Sequence, residues 1–161
     1  MIGLGQRFGG DDAVGLAVAA MLRERDASEE LEVREVGDAT ALVDALLTPA
    51  PVIIVDALLG DGEPGTLHLL SPEALGAGAL AAVSSHGLDV GQAIALSRVL
   101  HPDAVSPRIQ ILGVEIARAE RFHEGLSPQV LAAVQQAACA VLTLGRSIDG
   151  RAPALRAMRE R

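Results

Sequence analysis

The chain of 161 residues has no lysine, no tryptophan and no tyrosine, and it holds only one cysteine and two phenylalanines. A single thiol, Cys139, excludes an internal disulfide and a cysteine cluster for zinc. Its setting, AACAVL, reads as a helix in which free cysteine packs in the core as a small hydrophobe. Without lysine there is no Walker A phosphate loop. A net charge of −8 and so few aromatics leave neither the basic footprint nor the stacking platform of a nucleic-acid binder. All basic residues are arginine, which fits GC-rich codon usage better than a functional demand. No apolar run reaches the roughly 18 residues that span a bilayer. The N-terminus lacks a basic start and a signal-like cleavage region, so a soluble cytoplasmic protein is expected.

What is present is apolar and patterned. Half of the residues are hydrophobic, and the length suits one domain with its own core. MIGLG reads as the tail of a short strand, with the natural start expected upstream of Met1. The spacing of Val14, Ala17, Val18, Met21 and Leu22 predicts a helix from Asp12 to about Arg25. LEVREV, residues 31–36, alternates as a strand, and Thr40 to Leu47 reads as a short helix stopped by Pro49 and Pro51. VIIVDALL, residues 52–59, has the uniform β-branched character of a strand buried on both faces. The turn DGEPG follows, then a short strand in GTLHLL. Residues 71–80 suggest a short helix, and an extended segment ends at Ser84 or Ser85. A helix over Leu88 to Leu100 and a strand in RIQILGVE come next. In the last apolar stretch Ser127 is an expected N-cap, Pro128 the first helical residue and Gly145 the stop. Strands alternating with helices predict an α/β fold, a three-layer α/β/α sandwich with a mostly parallel central sheet. One domain over residues 1–145 is expected, with 146–161 as a disordered arginine-rich tail.

In open α/β sheets ligands bind beyond the carboxyl ends of the strands. Three places put ionisable groups there: Asp11 and Asp12 after the first strand, Asp56 after VIIV, and His86 after AAVSS. The two adjacent aspartates are explained equally by helix capping. A dinucleotide loop in GLGQRFGG fits poorly, because the acidic pair occupies the place where pyrophosphate would approach. Asp56 interrupts an apolar strand, where an ionised carboxylate is costly unless paired or metal-bound. His86 alone reads as a helix-start histidine. Together, oxygens from the first loop and from Asp56 with the imidazole of His86 suit a borderline divalent metal with an open position. Glu115 ends its strand near the same rim and ranks second. His68 alternates within TLHLL and is expected to face solvent, His101 ends a helix, and His123 lies in a loop. Neither a Gly-x-Ser-x-Gly elbow nor a His-Glu-x-x-His motif is present.

GLGQRFGGDDAVG, VIIVDALLGDGEPGT, SSHGLDV and ILGVE with EGLSPQV stand in an order that resembles the hydrogenase maturation endopeptidases, over roughly residues 2–144. The resemblance implies an α/β/α sandwich that removes a C-terminal peptide from the nickel-loaded large-subunit precursor of a [NiFe] hydrogenase. It implies a metal-dependent or aspartic-type endopeptidase in the cytoplasm. Asp12, Asp56 and His86 then serve as catalytic and metal-binding residues, engaging nickel carried by the precursor, with no nucleotide cofactor, nucleic acid or membrane involved. Three positions depart from the family pattern: Gln6 stands where asparagine is usual, Ala13 where glycine often follows, and VGDAT places Gly37 before Asp38. The alternative is a non-catalytic metal- or partner-binding α/β domain derived from the same family.

Overall fold

Five strands form one sheet: β1 (Ile2–Leu4), β2 (Arg34–Val36), β3 (Val52–Leu59), β4 (Leu67–Leu70) and β5 (Ile109–Ile116). Their order is β2-β1-β3-β5-β4. The computed structural model describes residues 1–25, 31–76, 89–117 and 125–148. Strands β1, β2, β3 and β5 run parallel, and β4 pairs antiparallel with β5 at the edge. The reversal follows from length. Only residues 60–66 separate β3 from β4, too few for the dozen or more that a parallel crossover needs.

The helices are α1 (Val14–Glu24), α2 (Ala39–Ala45), α3 (Pro72–Gly76), α4 (Val90–Leu100) and α5 (Pro128–Ile148). Alternate residues of the β-branched β3 feed two cores, as a doubly covered strand requires. Ile53 and Val55 join Val14, Val18, Val134 and Val141 under α1 and α5. Val52 and Ile54 join Leu42, Leu46, Ala93 and Ile94 under α2 and α4. The α/β/α sandwich with a mostly parallel sheet is therefore the observed architecture.

Local chemistry sets the helix ends. Asp38 caps α2 by accepting from Ala41 N–H at 2.9 Å. Asp89 and Gln92 form a reciprocal capping box on α4. Ser127 begins α5, its carbonyl accepting from Leu131 N–H at 2.8 Å and its hydroxyl lying 3.5 Å from Val130 N.

Several expectations are corrected. The first helix does not start at Asp12, because a 3₁₀ turn (Gly10–Ala13) precedes α1. Only Arg34 to Val36 of LEVREV are strand. Gly145 does not stop α5, which continues to Ile148, so the boundary expected at 145 falls inside a helix. There Arg108 Nη1 donates to Ile148 O at 2.6 Å, and the Ile148 side chain is buried. Cys139 is exposed rather than packed in the core. The extended segment near Ser84 and the tail from 149 lie outside the described residues. By length and composition α5 is apolar enough to cross a membrane, but one of its faces packs on the core with α1.

Candidate functional site

Backbone geometry brings the first loop onto the end of β3. Gly5 has φ 146°, and a Cβ there would run into the carbonyl oxygen of Asp12. Gly15, in the first turn of α1, lies so close to the sheet that a Cβ would strike the carbonyl oxygens of Leu4 and Val55. With glycine at both positions, the 3₁₀ turn sits directly over β1 and β3.

The two aspartates of that turn have different tasks, and neither caps the 3₁₀ turn or α1. Asp11 Oδ1 accepts from Ser127 N–H at 2.6 Å, tying the first loop to the start of α5. Asp12 Oδ2 accepts from Gln6 N–H at 3.0 Å, which folds the glycine-rich loop back over its own carboxylate. At position 6 the contact is made by the backbone, so glutamine in place of asparagine leaves it intact.

Asp56 lies midway along β3, paired in register with Gly113 of β5. Burial pushes its carboxyl up to about 7. The N–H of Ala57 opposes that rise, and the charge of Asp12 adds to it. Asp12 on the 3₁₀ turn and Asp56 on β3 thus lie close enough for the charge of one to raise the other. His86 falls outside the described residues, as does His123. Among the described residues no three His, Cys, Asp or Glu side chains gather as a metal-binding group.

A second polar cluster lies beside this one. Glu115 is buried, accepts from Gly62 N–H, and meets His68 Nε2 at 2.8 Å. The hydrogen bond from His68 holds the Glu115 carboxyl below its ordinary range, burial opposes this, and the Gly62 N–H contributes to it. Backbone bonds join in: Gly65 N–H donates to Glu115 O and Glu115 N–H to Thr66 O, each at 2.8 Å. Glu115 thereby fastens the arch of residues 60–66 over the end of β5. His68 does not face solvent freely, which corrects the expectation from alternation. Leu58 packs over Gly113, whose register lies between Asp56 on β3 and His68 on β4, and so separates the two clusters. Sequence reasoning ranked Glu115 but missed its partner. The available signal was a carboxylate ending an apolar strand, which requires a donor.

Fold and site together define an α/β/α protein in which an acidic first loop packs against a buried carboxyl of the central strand β3. A family model described as HycI, hydrogenase maturation protease, matches residues 16–144. The chain belongs to the hydrogenase maturation protease family, whose members are hydrolases that cut a peptide bond. Solved structures share its fold. The [NiFe] hydrogenase maturation protease HybD from Thermococcus kodakarensis is 24% identical, with a TM-score of 0.68 over 89% of this chain and 96% of that one. The hydrogenase maturating endopeptidase HybD from E. coli is 23% identical, with a TM-score of 0.71 over 91% and 90%. The [NiFe] hydrogenase maturation protease HycI from Thermococcus kodakarensis is also 23% identical, with a TM-score of 0.65 over 90% of each. Among curated protein sequences none matches this chain.

Proposed function

We propose that this chain removes the C-terminal peptide of a [NiFe]-hydrogenase large-subunit precursor after nickel has been inserted, and that nickel in the precursor is what it recognises. Asp12 and Asp56 supply oxygen ligands, and His86 supplies a nitrogen. The observation that carries the reading is a buried carboxyl on β3, Asp56, close enough to Asp12 of the first loop to feel its charge, in a chain of this family. Such a donor set, free of thiolate, suits a borderline divalent ion that keeps most of its ligands elsewhere. Binding the precursor through its own metal brings the scissile peptide to these side chains. Polarisation of its carbonyl, or of a metal-associated water, then assists hydrolysis. The reaction takes place in the cytoplasm and uses no nucleotide.

A binding domain without catalysis is the second reading. It is favoured by the departure at VGDAT: the family's aspartate near the second strand end is followed by glycines, whereas here Asp38 follows Gly37 and its carboxylate is taken up capping α2. Incubation with the nickel-loaded precursor separates the two readings. Loss of the C-terminal peptide, abolished by Asp56→Ala or His86→Ala, supports the peptidase. An intact precursor under conditions where another maturation protease cuts it supports the binding domain.

A further inference from the structure

Phe8 is the exposed aromatic among the described residues, at 68% relative exposure, and it stands four positions before Asp12. An isolated exposed apolar side chain on a soft loop would mean little. This one is rigidly mounted. Gly9 N–H donates to Gln6 O at 2.9 Å, closing a turn around Arg7 and Phe8. Gln6 N–H is held by Asp12 Oδ2, and Asp12 N–H donates to Gly9 O at 3.3 Å. Arg7 is drawn aside to Glu35 at 3.1 Å, and Glu35 is also bound by Arg23. The turn therefore presents Phe8, with the exposed Arg7 held to Glu35 beside it, on the same loop as the Asp12 carboxylate.

We propose that Phe8 is a specificity-determining residue, an apolar anchor that packs on a hydrophobic side chain of the protein substrate beside the acidic first loop. The inference rests on the peptidase reading for its substrate class. A Phe side chain has only two χ angles to order, so a pre-set aromatic gives much contact area for little entropy. Its flanks are short or tied down: Gly9 and Gly10 follow it, and Arg7 is paired. A folded precursor can thus approach Phe8 closely. Val99 and Leu100, also exposed, lie at the C-terminal end of α4, while Leu69 on β4 and Leu131 in the first turn of α5 are exposed on other elements.

The test uses the nickel-loaded large-subunit precursor from the organism that encodes this chain, with both binding and cleavage measured. Kd is read by rapid mixing of chain and precursor on a timescale shorter than one turnover, so that substrate persists and Asp56 stays in place. Phe8→Ala is expected to raise Kd and KM about tenfold and to leave kcat within about twofold. Phe8→Leu is expected to recover most of the loss, and Val99→Ala to change neither constant. The thermal midpoint of Phe8→Ala stays within about 2 °C of the parent, as for other surface changes. A Kd for Phe8→Ala within about twofold of the parent overturns the proposal, as does a loss confined to kcat. Phe8-dependent binding without any cleavage by the unaltered chain upholds the anchor and overturns the peptidase reading. Neither binding nor cleavage overturns both.

Discussion

Asp11 Oδ1 accepts a hydrogen bond from the backbone N–H of Ser127 at 2.6 Å, joining residues 116 positions apart. The bond fixes the loop that carries Asp12 to the first turn of the last helix. Asp11→Ala leaves a partly buried N–H without its charged partner. A loss of about 1–3 kcal/mol is expected in urea unfolding. Because Asp12 sits on the same turn, precursor cleavage is expected to fall as well. Unchanged stability would mean that the tie is dispensable.

Asp56 makes the stability of the metal-free protein depend on pH. Its folded pKa is about 7, against an unfolded value near 4. Between about pH 4 and pH 7 the folded state holds a proton that the unfolded state has released, so stability declines as pH rises through that window and levels off above it. The decline is on the order of 2–4 kcal/mol. Asp56→Asn removes it. Urea titrations in chelator should find that variant more stable than the parent at pH 8 and nearly equal to it at pH 4. Parallel pH profiles for the two proteins would contradict the assignment.

Glu115 acts in the opposite sense. Its folded pKa is depressed, so its contribution is present above the ordinary carboxylate range and is lost as pH falls through the folded value. Glu115→Ala leaves the Gly62 N–H and His68 without their acceptor. It is expected to cost about 1–3 kcal/mol at pH 7 and less in acid. Thermal unfolding across pH provides the check. Amide exchange at residues 60–66 should quicken in the variant, because the arch loses its fastening.

Where local pattern carried the information, the sequence was legible. VIIVDALL announced β3 because an unbroken β-branched run of that length has few other uses. The apolar face of α1 was readable from its 3.6-residue period. Asp56 stood out for the same reason, as the one charged residue in an apolar strand, and the structure places it midway along β3 with its carboxyl pushed up by burial. Long-range register was not legible. The contact of His68 with Glu115 depends on β4 turning back beside β5, and alternation within TLHLL carries no trace of that. Cys139 was misread because AACAVL is apolar throughout. Only the helix phase, with Ala138 and Val141 inward, turns Cys139 outward. Gly145 suggested a stop, but the chain there stays helical, and Arg108, distant in sequence, supplies the end of α5. The separate tasks of Asp11 and Asp12 also required Ser127 and Gln6 to be placed in space.

The proposal that Asp12, Asp56 and His86 recognise nickel is tested most directly by cleaving one precursor in two forms, nickel-loaded and nickel-free. Release of the C-terminal peptide is followed by mass spectrometry. The nickel-loaded form should be cut and the nickel-free form left whole, with Asp56→Asn and His86→Ala each slowing cleavage by about a hundredfold or more. Equal cleavage of both forms, or full activity in either variant, would contradict it.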